Sequence, residues 1–160
     1  MKGSSFDITV DPGLEDIAAV EIEELCRKAG VEVETRQRPL DLPGHVEARL
    51  EAPAERAAGL LSELHSAYYV VRLVDSLRLA SNGSASVALA PVYERLETVA
   101  LAELDRATSF CVRCRRVGTH QFSSPEVERS AGAVLWKRFG TTVDLTEPEC
   151  TVRVDITGET

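Results

Sequence analysis

Two hydrophobic periodicities alternate along the first half of the chain, in an order that only a few folds can accommodate. Strand-like patterns mark four segments, at residues 6–10, 31–33, 45–50 and 69–79. Apolar residues at helical spacing fill the segment between Pro12 and Gly30, and a shorter segment that begins at Pro53. The predicted order is therefore β-α-β-β-α-β, with the fourth strand longer than the others. Two helices on one face of a four-stranded antiparallel sheet can bury a small core on their own.

This order is that of the ferredoxin-like arrangement, which we predict for residues 1–79. The first helix is predicted to start with Asp11 as its N-cap and Pro12 at its first position. Its predicted core stripe consists of Leu14, Ile17, Ala18, Ile22, Leu25 and Ala29. Small and turn-forming residues at 80–86 predict the boundary to a second domain, residues 80–160.

The second domain is predicted to be an α/β module, which makes the whole chain α+β. Its predicted elements are a helical region at 91–104 broken into two pieces, a strand at 109–117, a helix that ends at Gly140, and strands at 143–145 and 150–157. Ser124-Pro125 resembles an N-cap followed by a proline at the first helical position. The helix that follows has a predicted core stripe of Val127, Ala131, Val134, Leu135 and Phe139.

Charge and glycine spacing exclude several classes of protein. The longest stretch without a charged residue is Leu79–Tyr93, 15 residues, whereas a membrane span needs about 20 apolar residues. The N-terminus shows no apolar segment of a secretory signal, so we expect a cytoplasmic protein without a membrane partner. No two of the ten glycines are closer than eight positions. Glycine-rich nucleotide-binding loops are therefore excluded in their usual form.

The cysteines and histidines form no convincing catalytic or metal-binding group. Cys111 and Cys114 have the C-x-x-C spacing, but they fall within a predicted strand, where positions three apart face opposite sides. Two diverging thiols do not chelate one ion, and free thiols in a reducing compartment are the simpler interpretation. The three histidines, His45, His65 and His120, are far apart in the sequence. We expect no metal, no cofactor and no catalysis from this chain alone.

The charges are segregated along the chain. The formal net charge is −8, but residues 108–140 carry six Lys and Arg against two Asp and Glu. This segment is therefore +4 and the rest of the chain is −12, an asymmetry typical of a local anion-binding surface. Arg113 and Arg115 share one face of the predicted strand, and Arg116 stands at its end. Guanidinium groups bind phosphate bidentately, so phosphate is the anion that they favour.

The loop after this strand leads to a helix N-terminus, another favourable place for a phosphate. His120, Ser123 and Ser124 lie in this loop. The alternative is a solvated strand face with arginines paired to the two acids of the helix, Glu126 and Glu128. The single tryptophan, Trp136, lies nearly opposite the core stripe of that helix. It is either a stacking platform beside Arg129 or a side chain packed between the two modules.

One run of motifs resembles a known RNA-binding family. The strand pattern begins at Phe110-Cys-Val112, the loop is Gly118-Thr-His-Gln-Phe-Ser-Ser124, and Val127-Glu-Arg129 opens the helix. Val143-Asp-Leu145 and Pro148 precede the last strand. This run resembles the THUMP domain of tRNA 4-thiouridine synthetases, pseudouridine synthases and RNA methyltransferases. Asp11-Pro-Gly-Leu-Glu15 with its acidic helix resembles the ferredoxin-like domain that precedes THUMP in RNA guanine-N2 methyltransferases.

The resemblance implies a module that grips the acceptor end of tRNA, including the 3′ CCA, and delivers a base to a separate catalytic domain. That methyltransferase domain, which would bind S-adenosylmethionine, is not in this sequence. The chain is then either the N-terminal part of an RNA methyltransferase or a stand-alone THUMP adaptor that presents RNA to a partner enzyme. The RNA contacts implied by the family are Arg113, Arg115, Arg116, His120, Ser123, Ser124 and Arg129, followed by Lys137 and Arg138.

Other interpretations stay open on the residues alone. The THUMP motifs are common to the methyltransferase and thiouridine-synthetase lineages, and they fit either transfer RNA or ribosomal RNA. A ferredoxin-like domain can also act as a regulatory domain that binds a small ligand, and a protein-interaction adaptor need not bind RNA at all. Salt-sensitive binding of tRNA separates the first interpretation from the other two.

Overall fold

The chain divides into two compact units, residues 1–74 and residues 75–160, called unit 1 and unit 2 below. The computed structural model describes residues 3–79 and 85–158. Most of the predicted boundary segment, residues 80–86, lies outside the described residues, and its last two residues begin a helix. Within the described ranges, no helix combines the length and the apolar character needed to span a bilayer.

Unit 1 has the predicted order of elements. They are β1 (Ser4–Thr9), α1 (Glu15–Ala29), β2 (Val33–Gln37), a 3-10 turn (Pro39–Asp41), β3 (His45–Leu50), α2 (Ala54–Leu61) and β4 (Tyr69–Leu73). The four strands form one antiparallel sheet in the order β2-β3-β1-β4. One core combines alternate residues of the strands, among them Phe6, Ile8 and Val46, with Ile22 of α1 and Leu61 of α2. The β-α-β-β-α-β prediction is confirmed.

The predicted start and core stripe of α1 are partly wrong. Residues 11–14 form a turn in which the Leu14 N–H donates to the Asp11 carbonyl at 3.0 Å, and the helix begins at Glu15. Leu14 and Ile17 are exposed, at 37% and 55%. The buried stripe is Glu15, Ala18, Ala19, Ile22 and Cys26. The apolar residues of this face pack in the core of the unit, and Arg38 and the Gly44 N–H donate to the buried Glu15 carboxylate.

The fourth strand is shorter than predicted. It covers Tyr69–Leu73 instead of residues 69–79. β4 is an edge strand that pairs only with β1, and the last pair of that register is Ser5 with Leu73. Strand geometry requires a hydrogen-bonded neighbour, so the pattern in residues 74–79 has no partner strand on which to continue.

Unit 2 is built around a short parallel sheet. Its elements are α3 (Ala85–Thr98), α4 (Ala102–Arg106), β5 (Ser109–Val117), α5 (Ser124–Phe139), β6 (Thr142–Val143) and β7 (Cys150–Thr157). The strand order is β6-β5-β7, and both pairs are parallel. The antiparallel sheet of unit 1 and the parallel sheet of unit 2 confirm the predicted α+β class and the α/β character of the second module.

Two predictions for unit 2 need correction. The predicted broken helix is confirmed, but its first piece begins at Ala85, so Pro91 lies inside α3. Burial of neighbours such as Leu89 and Val92 offsets the hydrogen bond that a proline cannot make. The strand predicted at 143–145 is only Thr142–Val143, because Asp144 Oδ1 accepts the backbone N–H groups of residues 146 and 147 and closes a turn.

The core of unit 2 lies on one face of its sheet. Phe110 and Val112 of β5 are buried there against the α5 stripe. That stripe is the predicted one: Val127, Ala131 and Leu135 are buried, and Val134 and Phe139 are half-buried. Side chains that alternate with Phe110 and Val112 point to the other face of the sheet. We call this other face, which is turned away from α5, the open face.

Candidate nucleic-acid interface

The predicted contact residues begin at the carboxyl end of the central strand, where ligands bind in many parallel sheets. β5 ends at Val117, and the Val117 carbonyl accepts a hydrogen bond from the Gly158 N–H, just after β7, at 2.9 Å. Gly118 then turns the chain with a φ of +112°, a conformation open in practice only to glycine. Residues 118–123 form a loop that leads to α5.

Arg116 forms hydrogen bonds with this loop and with the start of α5. Its side chain is half-buried and points to the α5 side of the sheet. Its Nε donates to Ser124 Oγ at 3.1 Å, and its Nη1 donates to the Phe122 carbonyl. The predicted contacts Arg116 and Ser124 are therefore bonded to each other, and their first role in the structure is to position the loop.

The N-terminus of α5 holds a carboxylate at the place where the sequence predicts a phosphate. Ser123, rather than the predicted Ser124, is the N-cap, and it forms a capping box with Glu126. The Ser123 N–H and hydroxyl donate to Glu126 Oε2 at 2.6 and 2.7 Å. The Ser123 N–H, and then its hydroxyl, lower the pKa of Glu126. A phosphate at this terminus would have to displace the ionised Glu126.

His120 is part of the packed loop. Its ring stacks on that of Phe122, with centroids 5.2 Å apart and an angle of 23° between the planes. Phe122 is buried in the core of unit 2, and His120 is half-buried. The stacked pair therefore anchors the loop to the unit.

Arg113 and Arg115 lie on the open face, away from the loop residues on the α5 side. Both are exposed. The Arg113 Nη2 donates to the Leu145 carbonyl at 2.7 Å, which uses one of the five N–H donors of a guanidinium. Between them, Cys114 faces α5 and is half-buried there. The structure thus divides the three predicted arginines of β5 between two faces of the sheet.

The basic residues of α5 differ in their surroundings. Arg129 is exposed near the start of the helix, and its positive charge contributes to the low pKa of Glu126. Lys137 is exposed, but at 1.5 Å per residue it lies about 20 Å along the helix from Ser124. Arg138 Nη1 donates to the carbonyls of Leu96 and Val99, each at 2.7 Å, at the end of α3.

The two acids of α5 form hydrogen bonds with backbone N–H groups, and the charges of Arg129 and Arg116 also act on Glu126. Glu126 belongs to the capping box, and Glu128 Oε1 accepts the backbone N–H of Cys114 at 2.9 Å. The second bond pins α5 to β5. The alternative interpretation, in which these acids neutralise the strand arginines, applies in part to Arg116, whose charge helps to lower the pKa of Glu126. Trp136, on the same helix, is 58% exposed. Its packing between the two modules stays a prediction.

The thiols of the C-x-x-C pair lie on opposite faces of β5, as the strand periodicity predicts. Cys111 Sγ lies 3.7 Å from Thr151 Oγ1 on the open face, whereas Cys114 packs with the core on the α5 side. Burial raises the pKa of Cys114. No group of metal-ligating side chains occurs among residues 3–79 and 85–158.

One basic residue of the open face was missed by the sequence analysis. Arg153 of β7 lies beside Arg113 in the parallel register, and its Nη2 donates to Asp155 Oδ2 at 2.8 Å. The alternation of the last strand places Arg153 opposite the core residues Val152 and Val154. The alternation could be read from the sequence, but Arg153 was not predicted as a contact because the segment that contains it has a net negative charge.

Comparisons with known proteins agree with these motifs. Residues 90–160 match the family described as the THUMP domain. A tRNA (guanine(6)-N2)-methyltransferase of Thermus thermophilus is 36% identical over 154 residues, which cover 96% of this chain and 42% of that enzyme. A probable tRNA sulfurtransferase of Aeropyrum pernix is 33% identical over 143 residues, 86% of this chain and 32% of that protein.

The fold is also found in a solved structure. TrmN from Thermus thermophilus superposes with a TM-score of 0.74 at 34% identity, over 98% of this chain and 43% of that one. The chain thus spans less than half the length of each of these relatives. The similarity extends over nearly all of the present sequence and includes the motifs around β5 and α5. Residues 90–160 of the chain are therefore a THUMP domain.

Proposed function

We propose that this chain is an RNA-binding module of a tRNA-modifying enzyme. It holds the acceptor end of tRNA, including the 3′ CCA, and positions a base for a separate methyltransferase domain or subunit. That catalytic partner binds S-adenosylmethionine, and both work on tRNA in the cytoplasm. The relatives support this proposal, because their names describe tRNA methylation and tRNA sulfur transfer. Their length beyond the matched part leaves room for a catalytic domain.

The observation that carries the proposal is the pair of exposed guanidiniums on β5. Arg113 and Arg115 stand side by side on the open face, in a segment of net charge +4, while the rest of the chain carries −12. The acidic remainder repels a polyanion, so the favourable approach is toward the basic segment. RNA backbone contacts of this kind depend on salt, because each neutralised phosphate releases counterions.

The test is a titration of fluorescently labelled tRNA with the whole chain, followed by anisotropy between 50 and 200 mM salt. The variant R113Q/R115Q removes two phosphate contacts, so we expect roughly tenfold weaker tRNA binding at 100 mM salt. We call the slope of the logarithm of the binding constant against the logarithm of the salt concentration the salt slope. Its magnitude should fall by about 2. The matched control is R36Q/R49Q, which removes two exposed arginines from the unit 1 sheet. Equal binding by the two double variants would disprove the assignment.

The acceptor end needs its own comparison. The same titration with tRNA that lacks its 3′ CCA, and with a minihelix of the acceptor stem, separates end recognition from general attraction to RNA. We expect the minihelix to retain most of the affinity and the truncated tRNA to lose it. If the truncated tRNA binds as tightly as the complete one, the module binds RNA but does not recognise the acceptor end. A ribosomal RNA fragment of equal length serves as the competitor.

A further inference from the structure

The open face of unit 2 carries a third guanidinium, on the neighbouring strand. The parallel register places Arg153 beside Arg113 and Asp155 beside Arg115. Neighbouring strands are about 4.8 Å apart, and residues two apart on one strand are about 6.6 Å apart. Three guanidiniums therefore originate from adjacent positions of one sheet face.

Three neighbouring arginines on one sheet face lower the stability of the folded unit. Like charges directly opposite each other on a sheet are destabilising. Asp155 is the single acid in the sequence of β5 and β7, whereas this face carries Arg113, Arg115 and Arg153. The Asp155 side chain is 37% exposed and the Arg153 side chain 20% exposed, and the Arg153 Nη2 lies 2.8 Å from Asp155 Oδ2. The side chains of these two strands leave the face with an excess of two positive charges.

We propose that Arg153 forms one phosphodiester-binding row with Arg113 and Arg115, and that Asp155 limits its affinity by holding the Arg153 guanidinium. This inference rests on the proposed RNA-binding function and deepens it: it names the sheet face, the second strand and the RNA backbone as ligand. Guanidiniums that originate about 4.8 and 6.6 Å apart on two strands can contact successive phosphates of one extended backbone. A single-anion site is the alternative, and competition by inorganic phosphate tests it. The planar fork of Arg suits each phosphate bidentately.

The Asp155 carboxylate should weaken the binding of a phosphate to Arg153. A phosphate that approaches Arg153 is repelled by the adjacent carboxylate and competes with it for the same N–H donors. The variant D155N removes the repulsion and weakens the internal pair, so tRNA binding becomes about threefold tighter. R153Q removes one contact, so binding becomes about three- to tenfold weaker, and the salt slope falls by about 1. R153K keeps the charge and restores most of the slope.

The test uses the whole chain and labelled tRNA, with the salt series described above. The matched controls are R49Q and E51Q, because Arg49 Nε lies 3.7 Å from Glu51 in the same i, i+2 arrangement on unit 1. We expect both to bind as the unchanged chain does. Inorganic phosphate at millimolar concentration should compete no better than chloride at equal ionic strength. Competition by phosphate alone would indicate a single-anion site and overturn the row.

The outcomes separate this inference from the proposed function. If R153Q keeps the affinity and slope while R113Q/R115Q loses them, the module binds RNA but the row is wrong. If the unchanged chain does not bind tRNA, both proposals fail together. Unfolding followed by Trp136 fluorescence shows whether R153Q is still folded in unit 2. If it is not, D155N decides, because weaker or unchanged binding by that variant contradicts the role given to Asp155.

Discussion

Gly118 is the residue on which the geometry of the loop most depends, and Gly118→Ala tests that dependence. A Cβ at this position would overlap the Gly158 carbonyl oxygen and would lie 2.8 Å from the Gly158 carbonyl carbon. Backbone atoms cannot rotate away, so the strand end must shift. The φ of +112° adds strain, since L side chains rarely adopt it.

The cost follows from these two effects. Strained backbone at such a φ costs about 1–3 kcal/mol. The shift also breaks the bond from the Gly158 N–H to the Val117 carbonyl, which contributes about 0.5–1.5 kcal/mol. We expect the free energy of unfolding of unit 2 to fall by about 2–4 kcal/mol. With a urea m-value of about 1 kcal/mol/M for a unit of this size, the midpoint falls by roughly 2–4 M.

The assay is urea unfolding followed by fluorescence of Trp136, the single tryptophan, which lies in unit 2. Two other glycines of the same unit serve as controls. At Gly140, with φ +69° at the end of α5, an added Cβ would meet nothing within 4 Å, so Gly140→Ala costs only about 1–2 kcal/mol. At Gly132, inside α5, an added Cβ would lie 3.9 Å from Val112, so Gly132→Ala stabilises by about 0.5–1 kcal/mol. A loss for Gly118→Ala no larger than that for Gly140→Ala refutes the steric argument.

Three further substitutions test single interactions. Arg38 Nε donates to the Glu15 carboxylate and, with backbone N–H groups, lowers the pKa of Glu15 to about 2. The ionised carboxylate therefore stabilises unit 1 above pH 4.5, and this stabilisation is lost as the pH falls toward 2. In Glu15→Gln, the urea midpoint measured by circular dichroism should fall less steeply over this acidic range, which we call the acid limb. Ser123→Ala removes the N-cap of α5 and should cost unit 2 about 1 kcal/mol by Trp136 fluorescence. Arg138→Gln removes two hydrogen bonds to the end of α3 and should cost about 1–3 kcal/mol, with little change in tRNA affinity.

Each of these expectations has a control or a contrary outcome. Glu34→Gln removes an exposed carboxylate from β2 and should leave the acid limb as it is; an unchanged limb in Glu15→Gln would contradict the buried pair. Ser123→Gly should cost only a few tenths of a kcal/mol, because glycine is a tolerated N-cap. A large drop in tRNA affinity for a folded Arg138→Gln would return that residue to the RNA contacts.

The order of elements could be predicted because it depends on local periodicity. β5 has the predicted limits, Ser109–Val117, and α5 ends at the predicted Gly140. Strand alternation and helical spacing need only a window of ten or so residues to be recognised. The core residues of α5 follow from the same signal, since the face that repeats at i, i+4 and i+8 is the face that packs on the sheet.

Features set by distant residues could not be predicted in this way. The buried Glu15 depends on Arg38 and Gly44, which lie 23 and 29 positions away. The buried pair of Asp7 and His45 joins β1 to β3 across 38 positions, with Nδ1 2.9 Å from Oδ1. Acids and histidines are expected on the surface, so only the three-dimensional partners explain their burial.

The candidate site shows why a charge count locates a binding segment but does not identify its residues. Counting adds the charge of Arg116 to that of Arg115, although strand alternation sends the two side chains to opposite faces. It also treats Arg138 as available, although carbonyls at the end of α3 already accept its N–H groups. Conversely, it omits Arg153, which lies in an acidic segment but stands beside Arg113. A guanidinium binds RNA through donors that can turn toward it, and donor direction depends on the strand face and on nearby acceptors. Counting charges separately for each strand face therefore identifies the row on the open face, which a count along the chain divides between two segments of opposite sign.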